Sequence, residues 1–94
     1  NCDVRVRVPP GSEVRLTFKT DVRIEVKNPM EVRHDGTETR YTPGTHLRIP
    51  PGSQVDFRVN TDVEFHLEMD NPETAKEVEE QARRQGVEVE VRCQ

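Results

Sequence analysis

Apolar residues recur at every second position along most of this 94-residue chain, and charged residues fill most of the positions between them. A period of two predicts β-strands that bury one face and expose the other. Turn-forming residues divide the pattern into eight predicted strands, at residues 3–8, 14–19, 22–26, 30–34, 37–41, 45–49, 54–59 and 63–69. Because each strand has one apolar face, two antiparallel sheets must bury each other, which predicts a mainly β sandwich or barrel.

A hairpin is predicted at the middle of the chain, where Asp35-Gly36 separates two alternating runs. This dipeptide is typical of a type I′ turn, which needs positive φ at both central residues. If Asp35 and Gly36 are the structural turn about which the chain doubles back, strand four pairs with five, three with six, two with seven and one with eight. The two sheets are then one-eight-three-six and two-seven-four-five, which is an antiparallel two-sheet jelly roll, or double-stranded β-helix. An immunoglobulin-type Greek-key sandwich is the alternative fold.

The outward charges of paired strands are expected to be complementary. In the nested pairing, Arg5 and Arg7 of strand one face Glu64 and Glu68 of strand eight, and Arg23 and Lys27 flank them from strand three. Such cross-strand pairs contribute about 0.2–1 kcal/mol each and mainly select the register.

Two Pro-Pro-Gly-Ser loops lie 41 residues apart and belong to a longer internal repeat. Residues 6–26 and 47–67 align without gaps and are identical at nine of 21 positions, most of them in loops. Proline cannot donate to a β-ladder and glycine frees the backbone, so these loops end strands. The residues that we assign as structural turns here are Pro9, Pro10, Gly11, Pro50, Pro51 and Gly52. We interpret the repeat as one of loop design more than of core packing.

The period changes after residue 70, where the sequence predicts one short C-terminal α-helix over about residues 72–85. Asn71 suits the N-cap, Pro72 the first turn and Gly86 the C-cap. The apolar stripe of this helix is too narrow to cover a sheet face, so we expect the helix to lie across an edge or an open end. A final strand is predicted over about residues 87–93. The whole chain, residues 1–94, is interpreted as a single jelly-roll domain.

Cys2 and Cys93 bracket the chain and favour a disulfide over a metal or redox site, which would want Cys-x-x-Cys spacing. In the chain-entropy model a loop of this length is stabilised by roughly 4–5 kcal/mol. Both cysteines are in phase with the core valines of their strands, so both sulfurs are expected to face the core. Two free buried thiols are the alternative. A disulfide indicates an oxidising compartment or deliberate engineering.

Composition limits the range of partners. Charged residues make up 34% of the chain, hydrophobic residues 31%, and the net charge is −4, which gives no reason to expect nucleic-acid binding. No apolar run reaches membrane-spanning length. Charged strand edges favour a monomer without partners. About two dozen inward apolar side chains predict a filled interior, with no enclosed, core-lined void above about 300 Å³.

The chain resembles de novo designed jelly rolls of the double-stranded β-helix kind, which are cupin-like in topology. The resemblance rests on the reused Pro-Pro-Gly-Ser loops, the Thr-Asp-Val arches at 20–22 and 61–63, the near-strict alternation and the fully capped helix. Natural chains usually break such local rules at functional sites. The resemblance implies a rigid scaffold without evolved activity.

The cupin-like topology raises the question of a metal site. Cupins bind metal through His-x-Asp/Glu and a distant histidine, and His66-Leu67-Glu68 has that spelling, with His34 or His46 as a third ligand. Side-chain period argues against the site, because Leu67 points inward and His66 and Glu68 therefore point to solvent. His46 is outward by the same count, and only His34 is in phase with the core. Nucleophile-elbow and nucleotide-binding motifs are absent. We therefore predict no catalytic, cofactor-binding or metal-binding residues.

Three functional hypotheses follow. The first is a designed, monomeric, disulfide-linked scaffold that is not an enzyme. The second is a small jelly-roll binding module that presents its loops to a carbohydrate or a protein. The third is a cupin-like metalloenzyme, which a metal titration would separate from the first because bound metal raises the unfolding midpoint.

Overall fold

The computed structural model describes residues 1–94 and contains nine strands and one helix. In chain order the elements are β1 Cys2–Val8, β2 Glu13–Thr17, β3 Val22–Val26, β4 Met30–His34, β5 Thr37–Tyr41, β6 His46–Ile49, β7 Gln54–Arg58, β8 Val63–Met69, α1 Pro72–Arg84 and β9 Glu88–Cys93. These bounds differ from the sequence-based ranges by at most two residues at any end. The 13-residue helix α1 does not have the length and hydropathy of a membrane-spanning helix.

The strands form two antiparallel sheets, with orders β6-β3-β8-β1-β9 and β2-β7-β4-β5. The nested pairing about the central hairpin is therefore confirmed, because β4 pairs with β5, β3 with β6, β2 with β7 and β1 with β8. Only β4 and β5 are paired neighbours in sequence, which excludes the Greek-key alternative. The final strand, β9, joins the outer side of β1 and extends the first sheet to five strands.

The two copies of the internal repeat bond to each other reciprocally. Gly11 N donates to the Val59 carbonyl at 3.1 Å, and its counterpart Gly52 N donates to the Phe18 carbonyl at 2.8 Å. Both glycines have positive φ, +77° and +82°, which is the conformation that glycine adopts most readily. Each Pro-Pro-Gly-Ser loop is thus held by the strand end of the other repeat.

The same reciprocity holds for side chains of the repeat. Arg7 binds Asp62 at 3.0 Å, and Arg48 binds Asp21 at 2.7 Å. Since position 48 repeats position 7 and position 62 repeats position 21, these two ion pairs are equivalents in a pseudo-twofold arrangement. The arginines and aspartates that are identical in the two repeats therefore form equivalent ion pairs between the repeats.

The two Pro-Pro-Gly-Ser loops lie at opposite ends of the roll. Three antiparallel steps, β1 to β8, β8 to β3 and β3 to β6, separate the strands that lead into them. β1 and β6 therefore run in opposite directions, and so their following loops cannot share one end. A binding surface built from both loops together is excluded by this topology.

A continuous apolar core lies between the sheets and under the helix, and it contains 24 buried residues. Phe57 of β7 and Phe65 of β8 stack across it, with ring centroids 4.4 Å apart and both side chains fully buried. Stacked aromatic pairs contribute beyond their buried area. These two rings therefore join the two sheets at the centre of the roll.

Helix α1 closes the side of the roll between β9 and β2. Its N-cap, Asn71, accepts a hydrogen bond from Glu73 N at 2.8 Å. Its narrow apolar stripe consists of Ala75, Val78 and Ala82, which are fully buried, and the helix packs on β9, β1 and β2. The helix thus spans the gap between an edge of each sheet, as its narrow apolar stripe indicated.

Gln81 of α1 and its C-cap residue Gln85 hydrogen-bond to the edge strand β2 as a neighbouring strand would. Gln81 accepts from Thr17 N at 2.9 Å and donates to the Thr17 carbonyl at 3.0 Å. Gln85 does the same with Arg15, at 2.8 Å and 2.6 Å. Unpaired backbone N–H and C=O groups of an edge strand can pair with a strand of another chain. Here the two glutamine side chains form hydrogen bonds with those groups. The sequence shows only two glutamines four residues apart on a helix, which gives no sign of this role.

We expect the Gln81→Ala/Gln85→Ala double variant to expose the β2 edge. Loss of these hydrogen bonds should lower the free energy of unfolding by about 1–2 kcal/mol and speed amide exchange at Arg15 and Thr17. Hydrogen exchange followed by NMR measures both effects, with Glu80→Ala on the exposed side of the helix as the control. Unchanged exchange at Arg15 and Thr17 would show that the glutamines do not protect this edge.

Cys2 and Cys93 form a disulfide between the paired ends of β1 and β9. Both cysteines lie on the core face of the sheet, as expected, because Cys93 pairs directly with Cys2 and is in phase with Val89 and Val91. Cys2 is buried there, whereas Cys93 is exposed. The reason is that β9 is the last strand of its sheet, so nothing covers its outer edge. The valines of β9, Val89 and Val91, are likewise only half-buried.

Candidate functional site

The outer face of the five-stranded sheet carries the histidines that the sequence singled out. One row of side chains crosses all five strands in the order His46, Glu25, His66, Arg5 and Glu90. Two imidazoles therefore flank a carboxylate, and His66 rather than an acid lies opposite Arg5. The predicted placement of Arg7 opposite Glu64 and of Arg23 beside Glu68 is confirmed. The predicted placement of Arg5 opposite an acid is wrong, because Val8 pairs with Val63 and this register brings His66 opposite Arg5.

A second row, Arg48, Arg23, Glu68, Asp3 and Arg92, runs beside the first. Together with the chain ends, all residues of the two rows except Glu90 and Arg48 line a cleft of about 480 Å³. Twelve residues line it and only two are hydrophobic, so the cleft suits charged or strongly polar molecules. It lies open on the outer face of the sheet and is not an enclosed void lined by core residues.

Hydrogen bonds set the charge of the acids around this cleft. His66 Nε2 lies 3.1 Å from Glu64 Oε2, and this hydrogen bond lowers the pKa of Glu64, assisted by the charges of His66, Arg5 and Arg7. A hydrogen bond from Lys27, 3.2 Å away, likewise lowers the pKa of Glu25. Both acids are held in their ionised form, which is the form that a salt-bridged surface needs.

The His66–Glu64 hydrogen bond makes the free energy of unfolding depend on pH through the pKa of Glu64. Because the pKa of Glu64 is lowered by folding, its contribution to stability is present above the unfolded value of about 4.3 and is lost as the pH falls through the folded value. We expect His66→Ala to raise the pKa of Glu64 toward that ordinary value. Carboxyl-detected NMR titration measures the shift, and His46→Ala is the control. Equal effects of both substitutions would show that the hydrogen bond is not the cause.

The structure brings some of the metal-ligand candidates together and separates others. His66 and His46 lie on the same outer face with Glu25 between them, and Glu68 lies in the next row. His66 and Glu68 face away from the core, in agreement with the side-chain period, since Phe65 and Leu67 on either side of His66 are fully buried. No three His, Cys, Asp or Glu side chains are grouped so as to hold a metal ion.

His34 belongs to the other sheet and is remote in topology from this face. It ends β4 beside the hairpin, and its side chain is 25% exposed. Its Nε2 atom is buried without a hydrogen-bond partner, although Asp35 Oδ2 lies 3.6 Å away. His34 is thus the inward histidine that the sequence indicated, but it has no second histidine beside it.

Comparisons with known proteins place this geometry in context. No protein-family model and no curated protein matches the chain. Among solved structures, a de novo designed double-stranded β-helix solved by NMR is 29% identical, with a TM-score of 0.57, over 72% of this chain and 97% of that one.

Natural proteins of similar structure are more distant in sequence. A cupin superfamily protein from Desulfitobacterium hafniense has a TM-score of 0.64 at 8% identity, over 74% of this chain and 68% of that one. A predicted oxalate decarboxylase from Thermotoga maritima has a TM-score of 0.58 at 20% identity, and this chain spans 61% of its length. The chain therefore has the cupin-like double-stranded β-helix fold, which natural proteins and a designed protein share.

Proposed function

We propose that this chain is a de novo designed double-stranded β-helix that serves as a structural scaffold and has no evolved activity. The observation that carries the proposal is the filled interior. In a cupin the metal ligands point into the roll, whereas here the stacked rings of Phe57 and Phe65 occupy its centre. A site on the inside would have to replace these side chains.

Designed origin is supported by the regularity of the contacts. The two repeats hold each other through equivalent backbone bonds and equivalent Arg–Asp pairs. The likeness to a designed double-stranded β-helix, which this chain covers over 97% of that protein's length, supports the same origin. Designed sequences are chosen so that local preferences, such as strand period, turn residues and helix caps, all agree with the overall fold.

A binding module is the second candidate, and the outer-face cleft favours it. The cleft offers Arg5, Arg23 and Arg92 beside three acids, Asp3, Glu25 and Glu68, a mixed set that suits a small ligand carrying both charges. Presentation of both Pro-Pro-Gly-Ser loops to one carbohydrate or protein is not favoured, since those loops lie at opposite ends.

Thermal unfolding in the presence of Mn²⁺, Ni²⁺ and Zn²⁺, each tested alone, separates the scaffold from the cupin-like metalloenzyme. A scaffold predicts an unchanged midpoint, whereas a resident metal raises it by mass action. The matched control is the His46→Ala/His66→Ala variant. A rise in midpoint that the wild-type chain shows and this variant lacks would contradict the scaffold proposal and support a site on the outer face.

A further inference from the structure

The edges of the two sheets differ in how they are protected. The β2 edge is occupied by Gln81 and Gln85, and β6 has only four residues before Pro50. Strand β5 ends the four-stranded sheet, has β4 as its one hydrogen-bonded neighbour, and contains no proline, lysine or bulge. All its residues except Tyr41 are exposed. Charged side chains are therefore the one usual protection against pairing that β5 carries.

The hairpin determines which backbone groups of β5 are free. Asp35 and Gly36 have φ of 53° and 76°, and His34 and Thr37 close this two-residue turn as a hydrogen-bonded pair. Hydrogen-bonded and non-bonded pairs alternate along an antiparallel ladder, so Thr39 also bonds to β4. The N–H and C=O groups of Glu38 and Arg40 consequently point outward, away from β4.

The charges on the outer face of this sheet alternate in sign along each row. One row is Arg15, Asp56, Arg33 and Glu38, and the next is Glu13, Arg58, Glu31 and Arg40. At β5 the first row ends on an acid and the second on a base. A second copy related by a twofold axis presents these same two ends in reverse order.

We propose that β5 pairs antiparallel with β5 of a second copy of this chain, with the twofold axis at Thr39. This register places Glu38 opposite Arg40 of the second copy, and it uses the outward backbone groups of both residues. Centring the pair on Glu38 or on Arg40 places like charges directly opposite each other, which is unfavourable. The Thr39 register also continues the alternation of sign through eight strands.

The remaining edge, β9, is less suited to pairing with itself. Arg92 is bound to Glu90 of its own strand at 3.0 Å, a closer pair than Glu38 makes with Arg33 (3.4 Å) or Arg40 with Glu31 (3.8 Å). Self-pairing that opposes Glu90 and Arg92 leaves Glu88 opposite the uncharged Gln94. The rows of this sheet also contain adjacent like charges, such as Arg48 beside Arg23 and Glu68 beside Asp3. Charge complementarity therefore selects β5.

Two five-residue strands bury little area compared with the roughly 1,200 Å² or more of stable interfaces. The association should therefore be weak and concentration-dependent. The sequence-based expectation of a monomer rests on charged strand edges, whereas at β5 the charges of two copies are arranged to attract.

Charge reversal tests the proposal by sedimentation velocity from micromolar to millimolar protein. The wild-type chain should show a concentration-dependent rise in sedimentation coefficient, and Arg40→Glu and Glu38→Arg should each lose it. An equimolar mixture of the two variants should regain it, because each supplies the charge that the other lacks. Glu90→Arg and Arg92→Glu on β9 are the matched controls and should behave as wild type.

A second measurement does not depend on the variants folding normally. In the wild-type chain, amide exchange at Glu38 and Arg40 should slow as the concentration rises, while exchange at the exposed Arg48 stays constant. A chain that remains monomeric at millimolar concentration would overturn the proposal. So would variants of β5 that associate as wild type does, or β9 variants that lose association.

Discussion

Replacing both cysteines with serine should lower the free energy of unfolding by up to about 4–5 kcal/mol without changing the fold. The disulfide joins residues 91 positions apart, so it closes nearly the whole chain into one loop and restricts the unfolded ensemble strongly. The effect acts on the unfolded state, because β1 and β9 also pair through their backbones. Urea titration of the Cys2→Ser/Cys93→Ser variant measures the loss.

Wild-type protein unfolded in a reducing buffer provides the control for this prediction. It should match the serine variant within the error of the extrapolation, because both lack the same covalent bond. If the oxidised wild type and the serine variant unfold at the same urea concentration, the cross-link contributes nothing to stability.

The Phe57→Ala variant should lose about 3–5 kcal/mol because truncation leaves a cavity at the centre of the roll. Phe57 is fully buried and stacks on Phe65 at 4.4 Å, so the rigid sheets on both sides can close only part of the space. The control is Arg58→Ala, the next residue of the same strand, whose side chain is 51% exposed. Its loss should be within about 0.5 kcal/mol.

Calorimetry or urea titration of both variants checks the argument. A loss for Phe57→Ala no larger than that for Arg58→Ala would mean that the ring does not fill a tightly packed centre. The case for a filled interior, and with it the main support for the scaffold proposal, would then fail.

The nested strand pairing could be predicted from the sequence because two local signals agree. Asp35-Gly36 determines where the chain reverses, and the period of two determines which face of each strand is buried. A one-residue slip would expose residues such as Phe65, so the pairing of the central strands is strongly constrained. These signals are local, and they were sufficient for the architecture.

The position of β9 could not be predicted in the same way, because its alternating valines fit either sheet. Cys2 and Cys93 held the missing information, since a disulfide requires Cα atoms within about 7 Å and so places β9 beside β1. The glutamine contacts to β2 could not be predicted from the sequence for a different reason. Gln81 and Gln85 look like ordinary surface residues until the packing of the helix brings them to the edge strand.

For the candidate site, the sequence predicts only which side chains lie outside the core. The side-chain period placed His66 and Glu68 outside the core, but it gave no sign that His46, Glu25 and His66 form a row across three strands. That row depends on the registers of β6, β3 and β8, which involve residues far apart in sequence. The register of each strand pair is determined mainly by the core residues on the inner face. The outer-face side chains therefore give little sequence signal of which of them become neighbours.

The central claim is that the chain doubles back at Asp35-Gly36 and pairs in nested order. Cross-strand nuclear Overhauser effects in a uniformly labelled sample test it most directly. The account predicts backbone contacts between Val4 and Leu67 and between Ile24 and Leu47, which are paired across β1–β8 and β3–β6. Contacts between β1 and β2 as hydrogen-bonded neighbours, in place of those between β1 and β8, would contradict it.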